Sequence, residues 1–589
     1  MTIGSMQRPN FAVLLGLAWL LVLLQLMAQL WASTAYTFPD ADDAMRLVEM
    51  RDFMAGQSWY DMHQVRVAPP AGFDIHWSRL IDAGLVGLFE FFRLFTDPAL
   101  AERLMLAVWP VLWLLPVMAG TAAIAWRLGG RDAACVTLLL AVFGLPGMGQ
   151  FRPGRIDHHN IQITLAVLAI AATVWSDRKR YAAPLAGAVT GLALAIGLES
   201  LPMLALCGAA LALRYILDPR AAAALRSYGL ALAASTVAGF VATVGPDHWG
   251  LSFCEQLALN TVAAATLAGL GVALASMSFA ARSPWTRGEA VGAAAIVAAA
   301  VGFWLEPRCV GGPFAIMDPT VRALWLMDIA EMQPLAKMLR VMPQSGIAIA
   351  AFPALGLLAT LLVAKELRRD FGFLAATAAF LLATVETVGV IKFYSYAVWL
   401  GVPLVAVAAL SVFARLKLQS LVPRFAVLML LTPAAFTVGA MTLASASGIP
   451  EGLNIDPPAR QACINKQNAA PLLRLPVGLI AANQVEWGPY LLAFTPHAVL
   501  AAPYQIRLAD AILAANDAFG LPPAQARRVI AARGVNYLLI CGPQGPIGLT
   551  AAQTEASLWG RLKNGEVPDW LAPVPELDGH PFTVYRVKP

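Results

Sequence analysis

The sequence predicts a polytopic α-helical membrane protein with a small α/β or α+β domain at its C-terminal end. Of the 589 residues, 59% are hydrophobic and only 13% are charged, with a mean hydropathy of +0.66. A soluble globular protein carries about 25% charged residues. Apolar runs of the roughly 20 residues that cross a bilayer recur until about Ala446 and then stop.

About thirteen spanning helices are predicted from these apolar runs. The first run, Phe11 to Leu30, is too long for the core of a signal peptide, and no small-residue cleavage site clearly follows it. It is therefore interpreted as the first span. The other predicted spans start near Arg103, Ala133, Ile161, Pro184, Pro202, Tyr228, Leu257, Gly288, Ser345, Phe371, Lys392 and Arg424.

The basic loops between these spans fall on one face, which the positive-inside rule makes cytoplasmic. They read WRLGGRD, DRKR, DPRAAAALR, ARSPWTR, KELRRD and RLK. The N-terminus with Arg8 is predicted on that face and, because the number of spans is odd, the C-terminus on the periplasmic face. We expect a transmembrane domain at 1–445, with outer loops at 33–100 and 306–343, and a periplasmic domain at 446–589.

The predicted periplasmic domain contains an apolar run typical of a strand, VNYLLIC, and a helical stretch, RLADAILAANDAFG. Cys254, Cys309, Cys463 and Cys541 all fall on the outer face. In an oxidising compartment they could form two disulfides, with Cys254–Cys309 and Cys463–Cys541 as the natural pairing, although the sequence alone does not fix the connectivity.

The most informative motif is Asp157-His158-His159, in the polar break GQFRPGRIDHHNIQ. Ionisable groups near membrane depth usually mark a functional site. An acid beside two imidazoles is a typical set of metal ligands. The alternative is that the histidines cap the next helix or donate to backbone carbonyls. Because helical neighbours diverge by about 100°, only one histidine is expected to share a face with Asp157.

Further acids lie in the predicted outer loops. Asp40 and the pair Asp42 and Asp43 follow the first span, where they either cap the helix ADDAMRLVEMRDFM, are solvated, or bind a metal. Glu331, in WLMDIAEMQPLAK, is either solvated or part of a site. Between these acids, the segment VAPPAGFDIHWSRLID is predicted to lie along the membrane surface, with Trp77 at the interface.

Carboxylates and an imidazole that converge from separate loops favour Mg²⁺ or Mn²⁺, and the nitrogen ligand tilts the choice toward Mn²⁺. On the outer face, such a cation can neutralise a phosphate or pyrophosphate leaving group. ATP is not expected there, so a lipid-linked sugar phosphate is the expected donor. The sequence has no Walker loop, dinucleotide fingerprint, HExxH or GxSxG, which argues against ATP-driven pumps, dehydrogenases, zincins and α/β-hydrolases.

The chain resembles the catalytic subunits of oligosaccharyltransferase in its thirteen-helix layout, its outer C-terminal domain and three motifs. Taken in order, the motifs are DADDAMR, GRIDHHN and IAEMQP. These catalytic subunits are GT-C membrane glycosyltransferases that use polyprenyl-linked glycans. The resemblance implies that Asp40 is a metal-binding, catalytic residue, that Asp157 and His159 are ligands, and that Glu331 completes the active site. Lys392, in KFYSYAVW, is similar to a donor-phosphate contact; the alternative is a lysine snorkelling at a helix end.

The chain departs from this family in the outer domain. The Trp-Trp-Asp-Tyr-Gly motif that reads the Ser or Thr of an Asn-x-Ser/Thr acceptor is replaced by NQVEWGPYLLAFTPHAVLAAPYQ. Trp487 and Tyr490 are kept, but the tandem Trp and the Asp are absent, so protein N-glycosylation is not implied. Trp487, Tyr490 and His497 are candidates for acceptor or donor binding, with a structural role as the alternative for His497.

The residues and the resemblance together predict a metal-dependent glycosyltransferase, and its Ala-rich helices and outer domain fit a bacterial inner membrane, with activity on the periplasmic side. Its expected partners are a polyprenyl-phosphate or polyprenyl-pyrophosphate donor and a glycan, lipid or protein acceptor, and no nucleic acid. The alternative is a transporter or flippase of lipid-linked sugars without catalysis. A transporter would also need a basic residue in the membrane, such as Lys392, but not the outer acids, and the hydropathy has no inverted repeat.

Overall fold

The structure, a computed structural model, describes residues 10–34, 36, 38–326, 329–452 and 463–588. Residues 1–9, which are predicted to be cytoplasmic, lie outside the described residues. The α-helices, numbered along the chain, are α1 Phe11–Thr34, α2 Ala41–Met54, α3 Arg79–Arg93, α4 Pro98–Val142, α5 His159–Trp175, α6 Ala182–Ile196, α7 Leu201–Leu217, α8 Ala222–Thr243, α9 Leu259–Ser278, α10 Pro284–Leu305, α11 Pro319–Val321, α12 Leu335–Val341, α13 Pro343–Leu367, α14 Phe371–Gly389, α15 Tyr394–Arg415, α16 Leu421–Leu430, α17 Pro433–Ala446, α18 Lys466–Ala469, α19 Trp487–Phe494, α20 Ala509–Gly520, α21 Pro523–Ala532, α22 Ala551–Ala556 and α23 Leu558–Lys563.

The helical part is that of a multi-pass membrane protein. Within the described ranges, seven helices are long and apolar enough to cross a membrane, and the pair α16 and α17, bent by 62°, adds an eighth if it forms one span. Shorter apolar helices are Phe11–Leu26, α5, α6 and α7. Helices occupy all the segments predicted from the apolar runs, but their lengths do not establish thirteen crossings. That number stays a prediction.

Two of the predicted spans are joined in α4, which runs for 45 residues. The helix is interrupted at Gly130, whose φ of 74° and ψ of −168° lie outside the helical region. Glycine adopts a positive φ readily because it has no Cβ. The break falls in the WRLGGRD segment, where the sequence predicts a cytoplasmic loop.

The strands fall into two sheets. A two-stranded ribbon in the first outer loop comprises β1 His63–Gln64 and β2 Phe73–Asp74, and a five-stranded mixed sheet in the C-terminal part comprises β3 Leu479–Ala482, β4 Ala498–Val499, β5 Tyr537–Cys541, β6 Leu571–Pro573 and β7 Phe582–Val587. The strand order of the larger sheet is β4-β3-β5-β7-β6. Strand β3 pairs in parallel with β4 and β5, whereas β7 pairs antiparallel with β5 and β6. The strand predicted within VNYLLIC is β5, and the helix predicted within RLADAILAANDAFG is α20.

The first outer loop is bound to the edge of this sheet. Val499 donates its N–H to the carbonyl of Arg66 at 2.9 Å, and Ala68 donates to the carbonyl of Val499 at 2.8 Å. Arg66 also donates to the Leu492 carbonyl in α19 at 3.1 Å, and Tyr490 donates to the Phe38 carbonyl at 3.3 Å. Since loops are usually solvated and mobile, these bonds matter: they hold the acid-bearing loop against the C-terminal part.

The four outer cysteines are paired as the sequence suggests. Cys254, before α9, and Cys309, after α10, form a disulfide with a Cα–Cα distance of 5.3 Å. Cys463 and Cys541 form the second pair, which connects the first described residues of the C-terminal part to β5. Cys135 and Cys207 are free thiols within helices.

Candidate active site

The turn that carries Asp157, His158 and His159 is buried at the start of α5. The exposed fractions of the three residues are 2%, 8% and 5%. His159 Nε2 lies 3.0 Å from Asp157 Oδ2, and the Asp157 Oδ1 atom accepts the backbone N–H of His158 at 2.6 Å. One nitrogen or carboxylate oxygen of each residue falls within 4.8 Å of the others. The sequence motif therefore forms a compact group of metal-ligand atoms.

Asp43 fixes the conformation of this turn. It is fully buried, and its Oδ1 atom accepts the backbone N–H groups of Ile156 at 2.9 Å and of Asp157 at 3.1 Å. Its Oδ2 atom accepts a hydrogen bond from Arg155 at 2.9 Å. Burial, opposed by the Arg155 charge, raises the pKa of Asp43 to about 7. The interpretation of Asp43 as a helix cap or a solvated acid is thus wrong, because its oxygens are used up in positioning the turn.

Asp40 is the N-cap of α2 and accepts the Asp42 N–H at 3.2 Å. The carboxylate also pairs with Arg155 at 3.1 Å. Burial favours its neutral form, but the Arg155 charge overcomes this effect and lowers the pKa of Asp40. Asp40 thus has the capping role that the sequence suggests and also shares Arg155 with Asp43, beside Asp157.

Glu199, in the turn between α6 and α7, closes the other side of the group. Its Oε2 atom lies 3.0 Å from His159 Nδ1, so His159 is held between two carboxylates, Asp157 and Glu199. The Glu199 Oε1 atom accepts a hydrogen bond from Lys392 Nζ at 2.8 Å. Lys392 in turn lies 3.1 Å from Glu331. One lysine therefore links the predicted loop glutamate to the carboxylate that holds His159.

The sequence predicts Trp77 at the membrane interface, but the structure places it inside the protein. It is 8% exposed and points inward, with its ring 5.9 Å from that of His158. The Arg46 guanidinium covers the ring at 4.3 Å and belongs to a fully buried network with Glu49 and Asp82. Buried charges are tolerated when they are paired, and this network connects α2 to α3 next to the site.

The donor set fits a divalent cation. Asp157 Oδ2 lies 3.0 Å from His159 Nε2, and Asp157 Oδ1 lies 2.5 Å from His158 Nδ1. Carboxylate oxygens and imidazole nitrogens gathered in this way are the ligand types that Mn²⁺ binds. Further carboxylates surround this group: Asp40 pairs with Arg155, and Glu199 and Glu331 both pair with Lys392.

The close group of ligand atoms in the structure differs from the predicted set of metal ligands, which was Asp40, Asp157, His159 and Glu331. Only Asp157 and His159 belong to the close group, and His158 is its third member. Asp40 and Glu331 lie beside the group. Asp40 forms an ion pair with Arg155, and Glu331 forms one with Lys392. If both histidines lay on a helix, only one of them would share a face with Asp157, as the sequence predicts. In the structure, however, His158 precedes α5 and only His159 is helical. Both side chains can therefore face Asp157.

The three candidates in the C-terminal part are buried. Trp487 and Tyr490 lie in α19, which packs on α2, and are 4% and 7% exposed. His497 is fully buried; its Nδ1 atom accepts the Gly478 N–H at 3.2 Å, and its Nε2 atom is 3.0 Å from the Leu472 carbonyl. Both ring nitrogens of His497 are therefore engaged, which corresponds to the structural alternative.

Replacing His497 with alanine is expected to destabilise the C-terminal sheet rather than alter ligand binding. The variant leaves the Gly478 N–H without its partner, at about 1–3 kcal/mol for a buried group, and it removes the imidazole from the Leu472 carbonyl, which still accepts the Leu475 N–H. Thermal unfolding of the purified protein measures the loss. His580→Ala, which changes an exposed histidine of the same part of the chain, should leave the unfolding temperature unchanged. An equally stable His497→Ala protein would contradict the structural role.

The sequence patterns do not single out Glu199, Arg155 or Asp43 as site residues. A signal existed for Glu199: it is a single acid between two apolar segments, at a predicted outer turn, where a charge needs a reason. Arg155 stands two residues before Asp157 in the same polar break. Asp43 carried no signal of its own, because an acid in the first turn of a helix is usually explained by the helix dipole.

The fold is the oligosaccharyltransferase-like GT-C fold that the motifs predict. The chain is similar to the archaeal oligosaccharyltransferase AglB from Archaeoglobus fulgidus in complex with an inhibitory peptide and a dolichol-phosphate. The TM-score is 0.69 at 14% identity, covering 96% of this chain and 79% of that one. The apo form of the Archaeoglobus fulgidus enzyme gives 0.67 at 14% identity, covering 97% and 80%. A complex of that enzyme with Zn and sulfate gives 0.57 at 14% identity, covering 95% and 78%.

No family model matches the chain, and no curated protein matches its sequence. The likeness in structure at 14% identity is a likeness of fold. The roles of individual side chains therefore depend on the geometry of this site.

Proposed function

We propose that the protein is a metal-dependent glycosyltransferase that moves a sugar or oligosaccharide from a polyprenyl-phosphate or polyprenyl-pyrophosphate donor to an acceptor. The observation that carries the proposal is the buried group Asp157, His158 and His159, whose ligand atoms lie within 4.8 Å of one another, in a GT-C fold. The AglB structures that contain a dolichol-phosphate, or Zn and sulfate, support a lipid phosphate and a divalent cation in this fold.

The chemistry is a displacement at the anomeric carbon of the donor sugar. A nucleophilic atom of the acceptor forms a bond to that carbon, and the bond from the carbon to the phosphate oxygen breaks. The electron pair of the broken bond leaves with the polyprenyl phosphate. Asp40 or Glu331 orients the acceptor and takes its proton. Both carboxylates border the group, and Arg155 and Lys392 hold them in place.

The residues Asp157, His158 and His159 would hold the cation, with Asp40 and Glu331 completing its ligands. A bound Mn²⁺ or Mg²⁺ supplies charge that neutralises the departing phosphate. Glu199 is a positioning residue: at 3.0 Å from His159 Nδ1, it fixes which ring nitrogen faces Asp157, as carboxylates behind metal-binding histidines commonly do. Lys392, which now bridges Glu199 and Glu331, is the contact for the donor phosphate.

We further propose that residues 1–445 form the transmembrane catalytic domain and residues 446–589 a periplasmic domain in a bacterial inner membrane. The basic loops support this orientation, and the disulfide pairing of the four outer cysteines suits an oxidising compartment. The loss of the tandem Trp and the Asp argues for an acceptor other than an Asn-x-Ser/Thr peptide. Glycosylation of such a peptide by the purified protein would contradict that part of the proposal.

Chelation of divalent cations should abolish the activity. Membranes from a strain that lacks the gene supply both donor and acceptor, and purified protein is added to them. Mass spectrometry then detects the new glycan. We expect EDTA to stop its formation and an excess of Mn²⁺ or Mg²⁺ to restore it. If protein dialysed free of metal transfers the sugar at an undiminished rate in EDTA, the activity does not depend on a metal. The transferase assignment itself is tested separately, with the Asp157→Asn variant.

A further inference from the structure

His158 has fewer polar contacts than the other histidine of the group that would hold the cation. His159 lies 3.0 Å from both Asp157 and Glu199. The His158 Nδ1 atom is 2.5 Å from Asp157 Oδ1, but its Nε2 atom is 3.7 Å from Glu199, too far for a hydrogen bond. Because one polar contact does not fix the plane of an imidazole, the position of the His158 ring depends on the side chains packed against it.

Two aromatic rings pack against His158. The His159 ring centroid lies 4.3 Å away, and the Trp77 ring centroid lies 5.9 Å away, with 54° between the planes of Trp77 and His158. Aromatic rings at such distances stabilise one another in preferred orientations. Trp77 belongs to the first outer loop, whereas the two histidines start α5. Trp77 therefore limits, from a separate element, where the His158 imidazole can lie.

Trp77 is itself held from two sides. On one side, the Arg46 guanidinium lies over its ring at 4.3 Å, and Glu49 and Asp82 each pair with Arg46 at 2.9 Å. On another side, Tyr504 meets the ring edge to face, with centroids 5.6 Å apart and 88° between the planes. The indole is thus fixed by α2 and by the C-terminal part together.

Tyr504 is a rigid contact, because its turn between β4 and α20 is anchored. Its buried ring stacks on Phe73 of β2, with centroids 5.1 Å apart and 21° between the planes. The Tyr504 carbonyl accepts the N–H of Leu508 at 2.8 Å. Arg507 of the same turn donates to Glu255, in the loop before α9, at 2.6 Å. The ring therefore has little freedom to follow Trp77 if the indole shifts.

We propose that Trp77 and Tyr504 are positioning residues for the metal ligand His158, an inference that rests on the proposed function. Tyr504 holds Trp77 in place, and Trp77 keeps the imidazole facing Asp157. The C-terminal part thereby acts on a cation site that other elements form. The contacts are made by the rings, since the Tyr504 hydroxyl has no hydrogen-bond partner among the described residues.

The proposal has a consequence for cation affinity. Side chains that bind a ligand or a metal have to be held within about 0.5 Å of their working positions. Without the Tyr504 ring, Trp77 can move into the space that the ring leaves, and the His158 imidazole loses its support. Cation binding then weakens although every ligand of the cation is still present.

The test measures Mn²⁺ binding to the purified full-length protein in nanodiscs by electron paramagnetic resonance. We expect Tyr504→Leu and Trp77→Leu each to raise the Kd for Mn²⁺ roughly three- to tenfold, the effect of one lost aromatic pair. The electron spin-echo signal of bound Mn²⁺ also reports directly coordinated nitrogen, and this nitrogen modulation should weaken in both variants. Tyr504→Phe keeps the ring and should retain the wild-type Kd and signal.

Tyr585→Leu is the matched control for a general loss of stability. Tyr585 is a buried tyrosine of β7, which pairs with β5 and β6 in the C-terminal sheet. Its replacement should lower the unfolding temperature, measured on the same samples, and leave both the Mn²⁺ affinity and the nitrogen modulation unchanged. Binding is measured below the unfolding temperature of every variant.

Three results would overturn the positioning role. If the wild type binds Mn²⁺ and the Tyr504→Leu and Trp77→Leu variants match it in Kd and nitrogen signal, only the positioning role fails. If Tyr585→Leu weakens binding as much as Tyr504→Leu, the effect is a general loss of structure. If Asp157→Asn binds Mn²⁺ as well as the wild type, the cation is not held by this group, and the metal dependence of the proposed function fails as well.

Discussion

Asp157→Asn is expected to reduce sugar transfer by about 10³-fold, a loss typical of removing a group that stabilises charge in the transition state. Asparagine keeps the size of the side chain and the acceptor for the His158 N–H, but it removes the negative charge between His158 and His159. The site then loses its central ligand while the fold is retained. The measurement is the rate of glycan formation after the variant is added to membranes of a strain that lacks the gene.

Asp97→Asn provides the matched control. Asp97 is an acid of the first outer loop whose side chain accepts the N–H groups of Ala99 and Leu100 at the start of α4. Asparagine caps helices about as well as aspartate, so the control changes the same atoms away from the site. Wild-type rates for both variants, at equal abundance, would refute the catalytic role of the Asp157 group. That outcome would favour the transporter alternative.

Lys392→Met is expected to lower kcat/KM for the donor by about a hundredfold, mainly through a higher KM. A charged hydrogen bond to a phosphate is worth about 1.5–3 kcal/mol, and Lys392 is the partly buried cation next to Glu199 and Glu331. Lys392→Arg keeps the charge and should retain much of the activity. The donor for these assays is the lipid that accumulates in the strain that lacks the gene.

The loss of Lys392 also leaves two carboxylates unbalanced, and this effect must be separated from donor binding. The double variant Lys392→Met with Glu199→Gln removes one of those charges, so it should recover protein abundance without recovering donor affinity. Lys179→Met, which changes an exposed lysine of the DRKR loop, should behave as the wild type. A donor KM that Lys392→Met leaves unchanged would assign Lys392 a purely structural role.

Much of the fold follows from the sequence because membrane helices obey simple rules of length and apolarity. The apolar runs located the helices, and the DADDAMR, GRIDHHN and IAEMQP motifs predicted the GT-C fold. Exact span lengths did not follow, since α5, α6 and α7 are shorter than a full span. Helix lengths in a bundle depend on neighbours and tilt, which a single sequence does not encode.

The site was predictable where a motif and a membrane break coincide, as at Asp157. It was not predictable where tertiary contacts decide. Trp77 turns inward because Arg46 covers its ring and His158 lies beside it, and both partners come from other elements. Asp43 and Glu199 acquire their roles in the same way, from a backbone turn and an imidazole that are distant in sequence. Local patterns cannot supply such pairings.

The most direct test of the central claim is mass spectrometry of lipid-linked sugars and envelope glycans in one strain lacking the gene. The strain is complemented with either the wild-type gene or Asp157→Asn. We predict that the strain lacking the gene and the Asp157→Asn strain both accumulate a sugar-bearing polyprenyl lipid and lack one envelope glycan. The wild-type gene should remove the accumulated lipid and restore the glycan. Full restoration of the glycan by Asp157→Asn, at normal protein abundance, would contradict transfer at this site.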